Sequence, residues 1–251
     1  MTIGDSKILL HTVTETVGLI MGFRYYLYLK KKQGDQIHSS KRLWIIIAAT
    51  LGAFLGSRLV GGFENPSSLY QSKNIFIYFY LNKTIVGGLA GGLFAVELIK
   101  KIIHEKKASG DLFTYPTILA LIIGRIGCFS MGVHEETYGL PTSFPWGMNL
   151  GDNIIRHPVC LYEILYLILI WIFLLWLSKK YILNNGALFK IFMIGYFLFR
   201  FMLDFIKPHY TFRFGLSTIQ IVCLAVLIYY SSYLLHPKKL IRYSSLKITT
   251  S

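Results

Sequence analysis

Apolar runs long enough to cross a hydrocarbon layer of about 30 Å, which takes roughly 20 helical residues, recur along this chain at 13–29, 43–63, 75–99, 115–133, 159–177, 187–206 and 215–235. Inside lipid a segment must satisfy its own backbone hydrogen bonds, so runs of this length fold as helices. The reading is an all-α integral membrane protein with seven transmembrane helices, a single domain over 1–251 with an outer loop at about 130–158. A chain that is 54% hydrophobic and 15% charged, with mean hydropathy +0.52, departs from ordinary soluble composition in the same direction.

The net charge of +14 could suggest nucleic acid, but its distribution argues for a membrane. The loops after spans one, three and five and the C-terminal tail hold 16 of the 26 basic residues, from Lys30–Lys32, Lys41 and Arg42 to Lys238, Lys239, Arg242 and Lys247. The N-terminal segment and the alternate loops hold five: Lys7, Lys73, Arg156, Lys207 and Arg213. The positive-inside rule then puts the N-terminus outside and, with an odd number of spans, the C-terminus in the cytoplasm. The basic loops are expected to face anionic membrane lipids, with no nucleic acid as partner. The first span lacks a basic leader and a small-residue cleavage site, so it is expected to stay as an anchor. Cys128, Cys160 and Cys223 have neither paired nor metal-like spacing, and no repeat of roughly 20–50 residues occurs.

Ionised groups at membrane depth cost about 2.5 kcal/mol or more, and those present usually face a bundle interior. Arg58, Lys83, Glu97, Arg125, Glu163, Arg200 and Asp204 lie in or at the ends of apolar runs. Except for Glu97, all fall toward the outer half of the bilayer. Guanidinium pairs bidentately with phosphate and stays charged in a low dielectric, so this cation cluster suits a phospholipid headgroup. Arg58 and Lys83 either join that site or snorkel to the outer surface. Arg200 and Asp204, spaced i, i+4, share a helix face and are expected to pair.

Four glycines, Gly87, Gly88, Gly91 and Gly92, fall within the third span. Their spacing fits close helix packing; the alternative is an unwound segment whose N–H groups approach a phosphate, with Lys83 one turn earlier. The outer loop carries G-R-I-G-C-F-S-M-G, H-E-E-T-Y-G-L-P-T, P-W-G-M and R-H-P-V-C-L-Y-E in turn. Loops of this length in a compact domain are usually functional. Trp146 is placed to sit at the interface.

With these residues laid out, the chain resembles the prolipoprotein diacylglyceryl transferase family. The family motif, approximately G-R-x-G-N-F-x-N-G-E-x-x-G-x-P-T, is matched between Gly124 and Thr142. R-H-P-x-Q-L-Y-E is matched at Arg156–Glu163, F-R-F-x-x-E at Phe199–Asp204 and L-S-x-x-Q at Leu216–Gln220. Upstream, L-G-x-R is matched at Leu55–Arg58 and H-G-G-L-x-G at Val86–Gly91.

The resemblance implies transfer of a diacylglyceryl group from phosphatidylglycerol to the lipobox cysteine thiol of a prolipoprotein. Glycerol phosphate would leave at the outer face of the bacterial cytoplasmic membrane. No metal or organic cofactor is implied. By carry-over Arg125, Arg200, Asp204 and Glu163 are the candidate catalytic residues, with Glu163 orienting an arginine or accepting the thiol proton. Arg58, Lys83, Gly87, Gly88, Gly91, Gly132, Gly139 and His157 are candidates for substrate binding.

Several positions depart from the family. Val86 stands where it has a histidine base, Cys128 and Met131 replace two asparagines, and Val17 replaces a first-helix tyrosine. Glu135 or Glu136 stands in for a displaced glutamate, and Lys83 or His134 is a candidate replacement base. The same donor site with a different acceptor, or phospholipid binding without chemistry, are the alternatives these changes leave open.

Overall fold

A computed structural model describes residues 3–135, 137–213 and 215–242, with the backbone alone described for 3–6. Glu136 and the tail cation Lys247 lie outside the described residues. Ten α-helices carry the described chain: α1 (Ile3–Gln33), α2 (Ser39–Gly62), α3 (Pro66–Gln71), α4 (Ile75–Leu81), α5 (Ile85–Ile102), α6 (Asp111–Met131), α7 (Val159–Lys180), α8 (Ala187–Leu203), α9 (Thr218–Tyr229) and α10 (Ser231–Leu235). Between α6 and α7 a two-stranded antiparallel ribbon pairs β1 (Met148–Asn149) with β2 (Ile155–Arg156).

Three segments are long and apolar enough to cross a membrane by length and composition: Ser39–Gly62, Asp111–His134 and Val159–Lys180. The other apolar runs form helices with distinct limits. α1 is long but interrupts its apolar surface with His11, Glu15 and Arg24, and α5 places Glu97, Lys100 and Lys101 within its 18 residues. α8 has 17 residues and α9 has 12. The run at 75–99, expected as one helix, is broken at 82–84: Asn82 caps α4 in an extended conformation and Thr84 caps α5. Lys83 sits in the break, where it leaves the helix to reach a carboxylate on α1.

α2 packs along α5 and α1 along α6. The α2–α5 contact is close because glycines face each other. A Cβ on Gly91 would stand 2.8 Å from Gly56 Cα and collide with Gly52 O, and one on Gly87 would collide with Gly56 O and stand 2.6 Å from Val60 Cβ. The glycine run is therefore continuous helix used for packing, which excludes the unwound alternative.

The core gathers Leu167, Ile170 and Leu174 of α7, Phe192, Met193, Tyr196 and Phe197 of α8, and Ile219, Cys223 and Val226 of α9, with Val86 fully buried among them. Large apolar side chains outside this core are exposed along whole faces, such as Leu43, Ile47, Leu51, Phe54 and Leu55 on α2 and Leu165, Leu169, Ile172 and Phe173 on α7. Continuous apolar faces of this size are untenable in water and suited to hydrocarbon.

At the end of the bundle holding the α1–α2 turn, Arg42 is buried rather than facing headgroups as its basic loop suggested. Its Nη2 and Nε donate to Asp35 at 2.6 and 2.7 Å, and its Nη1 donates to Ser109 O at 2.9 Å. A guanidinium with three satisfied donors ties the α1–α2 turn to the start of α6.

Candidate functional site

At the opposite end, the second turn of α7 brings Glu163 inward between α6 and α8. Its Oε2 lies 3.0 Å from Arg125 Nε and accepts from Arg200 Nη1 at 2.8 Å, while its Oε1 accepts from Tyr196 OH at 2.7 Å. All four side chains are buried. Helical spacing explains the convergence: Tyr196 and Arg200 are i, i+4 on α8 and present one face to α7.

Two guanidiniums share this single carboxylate, so the unit by itself carries a net positive charge in a buried site, with the buried Asp204 carboxylate one turn further along α8. Arg200 Nε makes no hydrogen bond among the described residues. Buried charge is costly unless matched, and a surplus of N–H donors around a surplus charge is a receptor for an anion.

Asp204 does not pair with Arg200. The last turn of α8 tightens into a 3₁₀ turn at Asp204–Ile206, and the Asp204 Oδ2 accepts from Ser217 Oγ. Ser217 is the N-cap of α9: its Oγ accepts from Gln220 N at 3.0 Å while its own N–H donates to Gln220 Oε1 at 2.9 Å. The L-S-x-x-Q stretch is thus a capping box, and it docks the start of α9 on the end of α8.

A second network runs beside the first. Lys83 Nζ binds both oxygens of Glu15 at 2.5 and 2.6 Å, and Glu15 Oε1 lies 3.1 Å from His11 Nε2. His11 Nδ1 lies 3.0 Å from Glu135 Oε2. Cys128 Sγ is 3.7 Å from Glu135 Oε1 and 3.6 Å from Arg125 Nη1, linking the two networks. His11 is a residue that sequence reasoning missed, because the first span was begun at residue 13 whereas α1 starts at Ile3. Its i, i+4 spacing from Glu15 was the available signal, as was that of Tyr196 from Arg200.

The remaining candidates lie around this center. Arg58 is partly exposed, donates to Tyr80 O and stacks over the rings of Phe54 and Tyr80, 5.4 and 4.9 Å from their centroids. His157, just before α7, has its Nδ1 3.1 Å from Tyr162 OH. Gly132 caps α6 at φ 60°, a left-handed conformation that a side chain would strain, and its absent Cβ leaves room for Leu150 O. Gly139 donates to His157 O at 3.1 Å, where a Cβ would stand 2.5 Å from His157 Cβ. Gly87, Gly88 and Gly91 lie on the α2–α5 seam. His134 is exposed and Val17 is on an exposed face of α1.

The family model described as prolipoprotein diacylglyceryl transferase matches residues 1–235. Among curated relatives, a protein of Cupriavidus metallidurans is 31% identical over 75% of this chain and 73% of its own length. One of Finegoldia magna is 30% identical over 85% and 84%, and one of Wolbachia pipientis is 30% identical over 91% and 92%. All three carry the name phosphatidylglycerol–prolipoprotein diacylglyceryl transferase.

Proposed function

The chain belongs to the prolipoprotein diacylglyceryl transferase family, and on that premise we propose that it transfers a diacylglyceryl group from phosphatidylglycerol to the lipobox cysteine thiol of prolipoproteins. The observation that carries this reading is the buried Arg125–Glu163–Arg200 unit, with two cations against one carboxylate. In the reaction the thiolate sulfur attacks the glyceryl carbon that bears the phosphate. A C–S bond forms, the C–O bond breaks with its electron pair staying on oxygen, and glycerol phosphate leaves while the thiol proton passes to solvent or to the leaving group.

Negative charge grows on the leaving phosphate, and fixed guanidiniums in a dry site stabilise it without reorganising. Arg125 and Arg200 are assigned that role. Glu163, already engaged by both arginines and Tyr196, acts as the group that aims them. Asp204 acts one step further out, through the α8–α9 junction. Arg58, Lys83, Gly132, Gly139 and His157 are assigned to the approach path of the headgroup, and Gly87, Gly88 and Gly91 to holding the α2–α5 wall beside it.

The chain is read as one multi-pass domain of the bacterial cytoplasmic membrane, crossing seven times with α1, α2, α5, α6, α7, α8 and the α9–α10 pair. Its N-terminus and active site face outward and its C-terminus inward. Alternating basic loops and continuous exposed apolar faces support that reading.

The test is conversion of a lipobox peptide by the full chain in phosphatidylglycerol-containing micelles, following thioether product and glycerol phosphate together. Product with the wild type and none with Arg125→Ala or Arg200→Ala supports the transferase. Phosphatidylglycerol binding without product refutes it in favor of another acceptor, the reading that the fully buried Val86 at the family's histidine position would then support.

A further inference from the structure

The His11–Cys128–Glu135 cluster is not needed to hold a phosphate, and its chemistry is of another kind. An imidazole nitrogen, a thiol sulfur and a carboxylate oxygen, from α1, α6 and the loop after α6, lie within 4.8 Å of one another. His11 and Cys128 are buried, and Glu135 is 24% exposed. We propose that these three side chains bind a borderline divalent transition metal of the zinc class, with His11 Nδ1, Cys128 Sγ and a Glu135 oxygen as its ligands.

Geometry supports this assignment. Zinc bonds of about 2.3 Å to sulfur and about 2.0–2.2 Å to nitrogen and oxygen, at tetrahedral angles, place nitrogen and oxygen about 3.3 Å apart and sulfur and oxygen about 3.6 Å apart. Here His11 Nδ1 lies 3.0 Å from Glu135 Oε2 and Cys128 Sγ 3.7 Å from Glu135 Oε1, so the carboxylate turns one oxygen to each of the other two donors. All three ligand atoms lie within 4.8 Å of one another, and closing a metal between them requires the side chains to draw together.

Outer contacts support it as well. A neutral imidazole has one N–H and one lone pair, yet both ring nitrogens of His11 face carboxylates. With the N–H on Nε2, 3.1 Å from Glu15, the Nδ1 lone pair is 3.0 Å from Glu135 Oε2, an oxygen with no hydrogen-bond donor among the described residues, and a cation between the two would relieve their repulsion. A carboxylate behind a ligating histidine is the usual device for fixing its tautomer toward a metal, and Lys83 holds that carboxylate in turn. Thiolate and carboxylate together neutralise a dication, and the Cys128 proton is released to solvent on binding. The donors are spread over positions 11, 128 and 135, which is why sequence spacing carries no metal signature.

This inference stands apart from the transferase reading, because it is measured by metal content rather than turnover. The full chain, purified in detergent and stripped with a chelator, is dialysed against cobalt(II) and against zinc(II). One equivalent of metal per chain and a thiolate-to-cobalt charge-transfer band are expected, with the band kept in Cys160→Ser. Cys128→Ser should abolish the band, and Glu135→Gln, outside the helix packing, should weaken binding at least about 10-fold. Absence of stoichiometric metal in the wild type, or a band that survives Cys128→Ser, overturns the site.

Discussion

Glu163 decides whether two buried arginines can coexist. Removing one partner of a buried charge network typically costs about 3–5 kcal/mol, because the remaining charge is left uncompensated. Glu163→Gln should therefore lower stability by about that amount, read as a lower unfolding midpoint in detergent, and abolish transfer. Arg200→Lys keeps the charge but loses the planar donor set that reaches Glu163. It should retain phosphatidylglycerol binding and lose at least about 100-fold in turnover, whereas an equal loss of binding and turnover would argue against a role in the transition state. At the other end, burial pushes the Asp35 carboxyl up, but hydrogen bonds from Arg42 and Ile37 N–H and the nearby Lys30 charge outweigh it and hold the group below its ordinary value. Its stabilisation is present above the unfolded-state carboxyl pKa of about 3.9 and is lost as pH falls through the lower folded value. Asp35→Asn should flatten the acid limb of a stability-versus-pH curve and lower stability at neutral pH; an unchanged acid limb would assign that limb to other carboxylates.

The α2–α5 seam is where packing is least tolerant. A branched side chain at Gly91 meets the backbone of Gly52 and Gly56, which cannot rotate away, so Gly91→Val should cost about 1–3 kcal/mol or more. Gly88→Ala meets Ala53 O at 3.5 Å, an ordinary contact, and should change stability by no more than about 0.5 kcal/mol. Equal effects at the two positions would refute the seam as drawn. The four-glycine spacing made close helix packing legible in advance, though not α2 as the partner, and length and hydropathy did the same for the helical character of most apolar runs. The break at 82–84 falls on Asn82, Lys83 and Thr84, three polar residues the run was read across; local spacing does not tell that the Lys83 ammonium meets the Glu15 carboxylate on another helix. The same holds for Asp204, whose i, i+4 spacing from Arg200 suggested a pair until the 3₁₀ turn and the Ser217 cap took its carboxylate away.

Taken whole, the molecule is organised by its solvent. With cysteines introduced singly, Asn153→Cys in the outer loop should react with a membrane-impermeant maleimide on intact cells, and Lys106→Cys between α5 and α6 only after lysis. The reverse pattern would invert the orientation. Periodicity, length and the alternation of basic loops carry the helices, the membrane as medium and the expected orientation, because these depend on local composition and on transfer free energies that add along the chain. Motif order carries the family and the identity of Arg125, Glu163 and Arg200 as residues to watch. Tertiary structure alone decided their partners: that one carboxylate serves two arginines, that Tyr196 completes the unit, and that His11, Cys128 and Glu135 converge. The physical reason is that a buried charge must be matched by whatever the packing brings within about 3 Å, and residues 11, 128 and 135 have no neighbour relation until α1 lies against α6.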